Sequence, residues 1–72
     1  MKMGTIVRVV DAGYVFIEQQ GGGKDAFAHA NAFDDDVILD RSLIGQKVAF
    51  DVTDMPKGPL ATRVRLLTEA TQ

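Results

Sequence analysis

Short apolar runs separated by turn-forming residues make up most of the chain, and the runs are rich in β-branched and aromatic side chains. Such side chains favour the pleated backbone of a strand. No stretch has the i, i+3, i+4, i+7 spacing of an amphipathic helix, and residues 30–33 indicate a single helical turn at most. Five strands are predicted, at residues 6–10, 14–18, 26–29, 47–54 and 60–67.

Glycine, proline and aspartate separate these strands. Residues 11–13 form a turn signal, the three glycines at 21–23 form a flexible loop, and two prolines interrupt residues 55–59. Residues 34–45 have no clean period and are predicted as a long loop. Because closing the sheet removes its exposed edges, we expect one small barrel over about residues 3–67 of a single domain spanning 1–72. The polar residues 68–72 are expected to be a frayed tail.

Alternation divides the side chains of the second and third strands into two sets. The aliphatic set is Val15, Ile17, Ala26 and Ala28. Aliphatic and small side chains fill a small barrel, so we place this set inside. The other set then faces solvent as a row of flat rings: Tyr14, Phe16, Phe27 and His29. We call these four side chains the aromatic face. The alternative places the rings inside and exposes valine and isoleucine.

Exposed rings on adjacent strands are typical of an interaction surface. Unstacked bases lie on such rings, at about 1–3 kcal/mol per base. The aromatic face is therefore a candidate surface for single-stranded nucleic acid. Phe50 is in phase with Val48 and Val52 and is predicted to be core.

Composition and charge narrow the function classes. The chain has 72 residues, 8 basic and 10 acidic side chains, a net charge of -2 and no cysteine. It is not a strongly basic nucleic-acid binder, so any phosphate contact must be local. Without cysteine there is no disulfide or thiolate metal site, and we expect a cytoplasmic location. No apolar run approaches the roughly 18 residues of a membrane span, residues 1–5 do not resemble a signal peptide, and no membrane partner is expected.

The residues offer little for catalysis or metal binding. A lone histidine cannot build a zinc site, and the acidic residues at 34–36 lack the pattern of a calcium loop. We interpret residues 34–36 as a solvated acidic loop, or as a contact for a basic protein. Ser42 has no nucleophile-elbow motif, and residues 21–24 lack the spacing of a phosphate-binding loop. We therefore predict no enzyme activity, no metal and no cofactor.

Four ordered blocks carry a resemblance to a known family. Residues 13–17, Gly-Tyr-Val-Phe-Ile, are similar to a Lys-Gly-Phe-Gly-Phe-Ile motif, and residues 25–29, Asp-Ala-Phe-Ala-His, to Asp-Val-Phe-Val-His. Residues 45–50 are similar to Gly-Gln-Lys-Val-Ser-Phe, and residues 57–59 match Lys-Gly-Pro. From Lys2 to Leu67 the chain resembles a cold-shock domain. The resemblance implies an all-β, five-stranded antiparallel Greek-key OB-fold barrel that binds single-stranded RNA or DNA, as RNA chaperones do. It also implies that Phe33 is buried.

The chain departs from this family in its first strand. The family's Gly-Ile-Val-Lys-Trp-Phe-Asn corresponds to residues 5–11, which puts Val9 in place of the exposed tryptophan and Val10 in place of the phenylalanine. Asp11 replaces the asparagine, and the aromatic residue after the histidine is Ala30. The motif lysine is also absent. We therefore expect weaker binding than is typical of the family.

The resemblance and the alternation together predict a nucleic-acid-binding site of six residues: Arg8, Tyr14, Phe16, Phe27, His29 and Lys57. The rings of the aromatic face would stack on bases, and the two cations would contact phosphates or base edges. Arg63 and Arg65 share a face of the last strand and are either ordinary surface charge or a secondary phosphate contact that compensates for the lost lysine. The alternative function is a degenerate barrel that serves as a protein-interaction or dimerisation module. We expect a monomer, with a dimer as the alternative.

Overall fold

A computed structural model describes residues 1–34 and 36–67, and the predicted tail at 68–72 lies outside the described residues. The described residues contain five strands: β1 Lys2–Val10, β2 Tyr14–Gln19, β3 Ala26–His29, β4 Lys47–Met55 and β5 Gly58–Leu66. A first 3-10 helix, Ala30–Ala32, follows β3, and a second, Arg41–Leu43, precedes β4. All five predicted strands and the helical turn near residue 30 are confirmed. No helix in the described part of the chain is long and apolar enough to cross a membrane.

The sheet closes on itself in the strand order β1-β2-β3-β5-β4, because β4 also pairs with β1. The prediction of a closed all-β barrel is confirmed. Four of the pairings are antiparallel, whereas β3 and β5 run parallel, with Phe27 opposite Leu60. Closure satisfies backbone groups that an open sheet would leave at its edges.

The barrel interior is filled as the alternation predicted. Val15, Ile17, Ala26 and Ala28 are all 0% exposed. Phe50 is also fully buried and Phe33 is 8% exposed, so both belong to the core as predicted. Small and aliphatic side chains on β2 and β3 leave the interior volume for the ring of Phe50.

The first strand is longer than predicted and begins at Lys2 instead of Ile6. Its added residues, Lys2 to Thr5, pair with Lys47 to Phe50 of β4. Gly4 allows this close approach, because a Cβ atom there would lie 2.7 Å from Cγ2 of Ile17. The extension depends on a partner strand far along the chain, so the local pattern of residues 2–5 does not reveal it.

Residues 40–45, the end of the predicted long loop, have defined structure. The Asp40 carboxylate accepts a hydrogen bond from the Ser42 backbone N–H at 2.9 Å and another from the Ser42 hydroxyl. These bonds begin the second 3-10 helix, whose Leu43 is 7% exposed and packs into the core. The Gly45 N–H then donates to the carbonyl of Ile6 at 2.7 Å. Capping, burial and backbone pairing therefore fix the end of this segment.

Candidate nucleic-acid interface

The register between β2 and β3 places the four rings together. Tyr14 lies opposite His29 and Phe16 opposite Phe27, and the pairs between and beyond them carry the buried aliphatic set. Residues directly opposite each other in an antiparallel pair share a face of the sheet. Tyr14, Phe16 and Phe27 are half-buried and His29 is exposed. The four rings therefore lie on the opposite side of the sheet from the buried aliphatic set.

The rings do not form the flat row that the sequence suggested. Tyr14 and Phe16 meet edge to face at a centroid distance of 5.6 Å and an angle of 71°. His29 is inclined by 57° to Tyr14 and by 83° to Phe27, at 5.7 and 6.0 Å. Tilted and edge-to-face contacts are favoured by the ring quadrupoles, which is why neighbouring rings do not lie coplanar. Each ring therefore offers its own separate surface to a ligand.

The aromatic face lines one open groove together with Lys57. Lys57 lies in the turn between β4 and β5, and β5 is brought beside the rings by its parallel pairing with β3. The groove thus combines apolar ring surfaces with one ammonium group at its edge. Five of the six predicted site residues line this single groove.

Arg8, the sixth predicted site residue, lies next to Phe16 through a bulge in β1. The register shifts between Ile6 and Arg8, so that Ile6 lies opposite Ile17 and Arg8 opposite Phe16. An inserted residue in one strand changes which side chains face outward. The Arg8 guanidinium carbon lies 5.8 Å from the Phe16 ring centroid, within the range of a cation–π contact.

The same bulge determines which way Val9 faces. Val9 lies opposite Val15 and packs against the core, whereas Val10 lies opposite Tyr14. Arg8 thus occupies the outward position beside Phe16, whereas Val9, which the resemblance puts in place of the family's exposed tryptophan, packs against the core. A bulge depends on the partner strand, so no feature of residues 5–11 revealed it.

A second bulge separates the surroundings of Arg63 and Arg65. The β4–β5 register shifts between Ala49 and Asp51, and Arg63 has a φ of 53°. Arg65 lies 3.8 Å from an oxygen of Asp34, measured from its Nε. Arg63 instead lines a groove beside His29 and Asp34. The other residues of this groove were not predicted from the sequence to form a site: Asn31, Ala32, Leu60, Ala61 and Thr62.

None of the acidic residues that the structure describes lines the groove of the aromatic face. Asp11 shares a separate groove with Arg8, Asp40 and Arg41. Hydrogen bonds from the Ser42 side chain and backbone hold the pKa of Asp40 below its ordinary value. Within residues 1–34 and 36–67, no group of three or more histidine, cysteine or acidic side chains is placed to hold a metal ion.

A closed five-stranded barrel with this strand order is a small OB-type domain. The chain belongs to the cold-shock domain family, since a family model described as 'Cold-shock' DNA-binding domain matches residues 3–67. It is 48% identical over 67 residues to the cold shock-like protein CspA of Stigmatella aurantiaca, covering 90% of this chain and 96% of that protein. It is 41% identical over 63 residues to the cold shock-like protein CspA of Bordetella pertussis, covering 79% of this chain and 84% of that protein. It is 42% identical over 55 residues to the cold shock-like protein CspB of Escherichia coli, covering 75% of each protein. Membership supports nucleic-acid binding in general.

Proposed function

We propose that the protein binds single-stranded RNA or DNA through the aromatic face, with its four rings stacking on bases. Arg8 and Lys57 contact phosphates or base edges on either side. One observation carries the proposal: two cross-strand pairs of rings face outward into one groove that also holds an ammonium group. Duplex bases are already stacked on each other, so only an open strand can use these rings.

The inclined rings suggest how the strand lies. Because the measured ring angles run from 57° to 83°, successive bases cannot remain stacked on one another while each lies on its own ring. The bound strand is therefore splayed, and base pairing is prevented as long as it is bound. Because the protein binds only unpaired strands, mass action shifts RNA toward its unpaired form. This is the role of an RNA chaperone, and it needs neither catalysis nor a cofactor.

We expect binding weaker than that of typical family members. Val10 and Ala30 offer no ring at their positions, and each missing stacking surface costs about 1–3 kcal/mol. The planar guanidinium of Arg8 offsets part of the loss, because it can stack on a base and carries a positive charge. The net charge of -2 reduces affinity further at low salt.

The second candidate function is a protein-interaction or dimerisation module. Three exposed aliphatic side chains favour it: Val7, Ile38 and Ile44 are 39%, 80% and 48% exposed. They lie outside the groove of the aromatic face. A concentration-dependent increase in the mass of the free protein would support this function.

Chemical-shift titration with uridine and thymidine hexamers at low salt tests the proposal. We expect shifts concentrated on β2 and β3, and no binding to a blunt duplex of the same sequence.

Phe27→Leu keeps an apolar side chain but removes a ring, so the dissociation constant should rise by about 5- to 100-fold while the protein stays folded. Phe50→Leu is the matched control: Phe50 is fully buried, so that change should lower stability and leave the affinity of the folded fraction unchanged. The proposal fails if millimolar strand leaves the aromatic face unperturbed.

A further inference from the structure

A second groove continues from the aromatic face. His29 lines both grooves: the first with the other three rings and Lys57, the second with Asn31, Thr62 and Arg63. The two grooves therefore meet at one exposed ring. A strand whose base stacks on His29 has its next sugar and phosphate at the entrance of the second groove.

The backbone holds Arg63 in an unusual conformation. Its φ of 53° lies in the left-handed region, and among the non-glycine residues described it alone has a positive φ. The strain lies at the bulge in β5, between the buried residues Ala61 and Val64. Bulges re-aim side chains, and strained residues persist where the surrounding structure fixes them. The outcome here is an exposed guanidinium at the wall of the second groove.

The charges of the second groove favour an anion at Arg63. Asp34 also lines the groove, and Arg65 lies 3.8 Å from its carboxylate. The ion pairs found within the described residues involve Arg65 and the N-terminal amine, and neither includes Arg63. Arg63 and Asp34 line the groove with opposite charges, and Arg65 beside it offsets the carboxylate of Asp34, which leaves the guanidinium of Arg63 as the charge that attracts an anion. A guanidinium suits phosphate because its N–H groups form paired hydrogen bonds.

Asn31 adds a polar group at the start of this groove. It lies in the first 3-10 helix, two residues after His29, and is exposed. A side-chain amide both donates and accepts hydrogen bonds, as the edges of bases require.

From this arrangement we propose that the second groove binds one further nucleotide of the strand held by the aromatic face. Arg63 contacts its phosphate, and Asn31 faces its base. This inference rests on the proposed function, because it extends the path of the same strand beyond His29.

Binding of thymidine strands of four to nine nucleotides tests the extension. In the unchanged protein, affinity should rise with length until the second groove is filled. Arg63→Gln should remove the last step of that rise, lowering the affinity of the longest strands by about three- to tenfold. It should also reduce the slope of log affinity against log salt by about 0.7. Strands too short to pass His29 should bind the two proteins equally.

Two matched variants show whether the effect of Arg63→Gln comes from the lost charge and from its position at the second groove. Arg63→Lys keeps the positive charge at the same strained backbone position, so it should retain most of the length effect and the salt slope. Lys2→Gln removes one charge on β1, from a groove that contains none of the proposed site residues. It should bind as the unchanged protein does. Thermal unfolding of each variant, together with Arg63→Gly, which relieves the backbone strain, checks that the barrel is intact.

The outcomes distinguish this inference from the proposed function. Equal affinities for Arg63→Gln and Lys2→Gln at every length would overturn the second groove and leave the aromatic face as the binding site. The same holds if Arg63→Gln weakens short and long strands alike. If the unchanged protein binds no strand of any length, the proposed function and this extension fail together.

Discussion

At the scale of single residues, Arg8 is the side chain of β1 that lies beside Phe16. The bulge in β1 turns Arg8 outward and Val9 toward the core. The exposed position on β1 thus carries a cation that lies against a ring. A guanidinium combines charge with a flat surface, so this position can contribute both salt-dependent attraction and stacking.

Exchanging Arg8 and Val9 for tryptophan in turn tests this assignment. Arg8→Trp adds an outward ring, and we expect tighter binding at 0.5 M salt, where stacking dominates and charge is screened. Val9→Trp forces a large ring against a packed interior and should lower the free energy of unfolding by about 1–3 kcal/mol. Fluorescence titration measures the first effect and urea unfolding the second. The reverse result, with tighter binding from Val9→Trp and destabilisation from Arg8→Trp, would contradict the observed register.

Arg8→Lys separates the two contributions of the arginine. Lysine keeps the charge but not the planar surface, so the salt slope should stay the same while the affinity at high salt falls. Arg8→Ala should lower both. Affinity measured at four or more salt concentrations gives the slope and the intercept, and a slope that Arg8→Ala leaves unchanged would exclude a phosphate contact by Arg8.

At the scale of strands and helices, the local pattern predicted what is periodic and missed what depends on distant pairing. A strand buried on one side repeats every two residues, so the inner and outer sets of β2 and β3 followed from their sequence alone. The first residues of β1 are strand because β4 pairs with them, and both bulges are shifts against a partner. The tilt of the rings likewise follows from contacts across strands. The candidate site was therefore predictable in its rings, but not in the positions of Arg8 and Arg63.

Gly4 tests the packing of β1 between its two neighbours. An added Cβ would meet the carbonyl oxygen of Glu18 and lie 2.7 Å from Ile17 Cγ2 and 3.2 Å from Phe50 Cε1. Two of these partners are fixed by the sheet and the core, so Gly4→Ala should destabilise the barrel by about 1–3 kcal/mol. Urea unfolding measures the change. Lys2→Ala, on the exposed part of the same strand, is the control and should change stability little.

Asp40 gives the second 3-10 helix a dependence on pH. Its hydrogen bonds from Ser42 favour the charged carboxylate and lower its pKa from the ordinary value of 3.8. A group whose pKa is lower in the folded state stabilises that state fully above its unfolded pKa, and the contribution is lost as the pH falls through the folded pKa. Ser42→Ala removes the side-chain hydrogen bond. It should therefore lower stability slightly near pH 6, and the difference should shrink below pH 3.8. Thermal unfolding from pH 6 to pH 2.5 measures it, and a constant difference would show that the carboxylate is not responsible.

At the scale of the whole molecule, closure of the barrel and the charge balance act on the same surface. Filling the interior with small and aliphatic side chains forces the rings outward, which creates the proposed binding surface on a protein with a net charge of -2. The overall field repels phosphate, while Arg8 and Lys57 attract it locally. Which of the two dominates depends on salt, because charges are screened over about 10 Å at 0.1 M and over about 30 Å at 0.01 M.

Removing one carboxylate at a time, from two sides of the barrel, separates the local field from the total charge. Asp11→Asn and Asp51→Asn each change the net charge from -2 to -1, because each leaves 8 basic and 9 acidic residues. Asp11 shares a groove with Arg8, whereas Asp51 lies on β4, which pairs with neither β2 nor β3. One charge about 10 Å from a phosphate in water changes affinity about twofold. Screening over about 10 Å in 0.1 M salt reduces this effect, so we expect Asp11→Asn to tighten hexamer binding about 1.3-fold and Asp51→Asn to have a smaller effect. At 0.01 M salt the affinities of the two variants should become more alike, since the field then reaches across the barrel. At 1 M salt neither affinity should differ from that of the unchanged protein.

Equal gains in affinity for the two variants in 0.1 M salt would contradict this expectation. They would mean that total charge, and not the position of Asp11 beside Arg8, controls the approach of the strand.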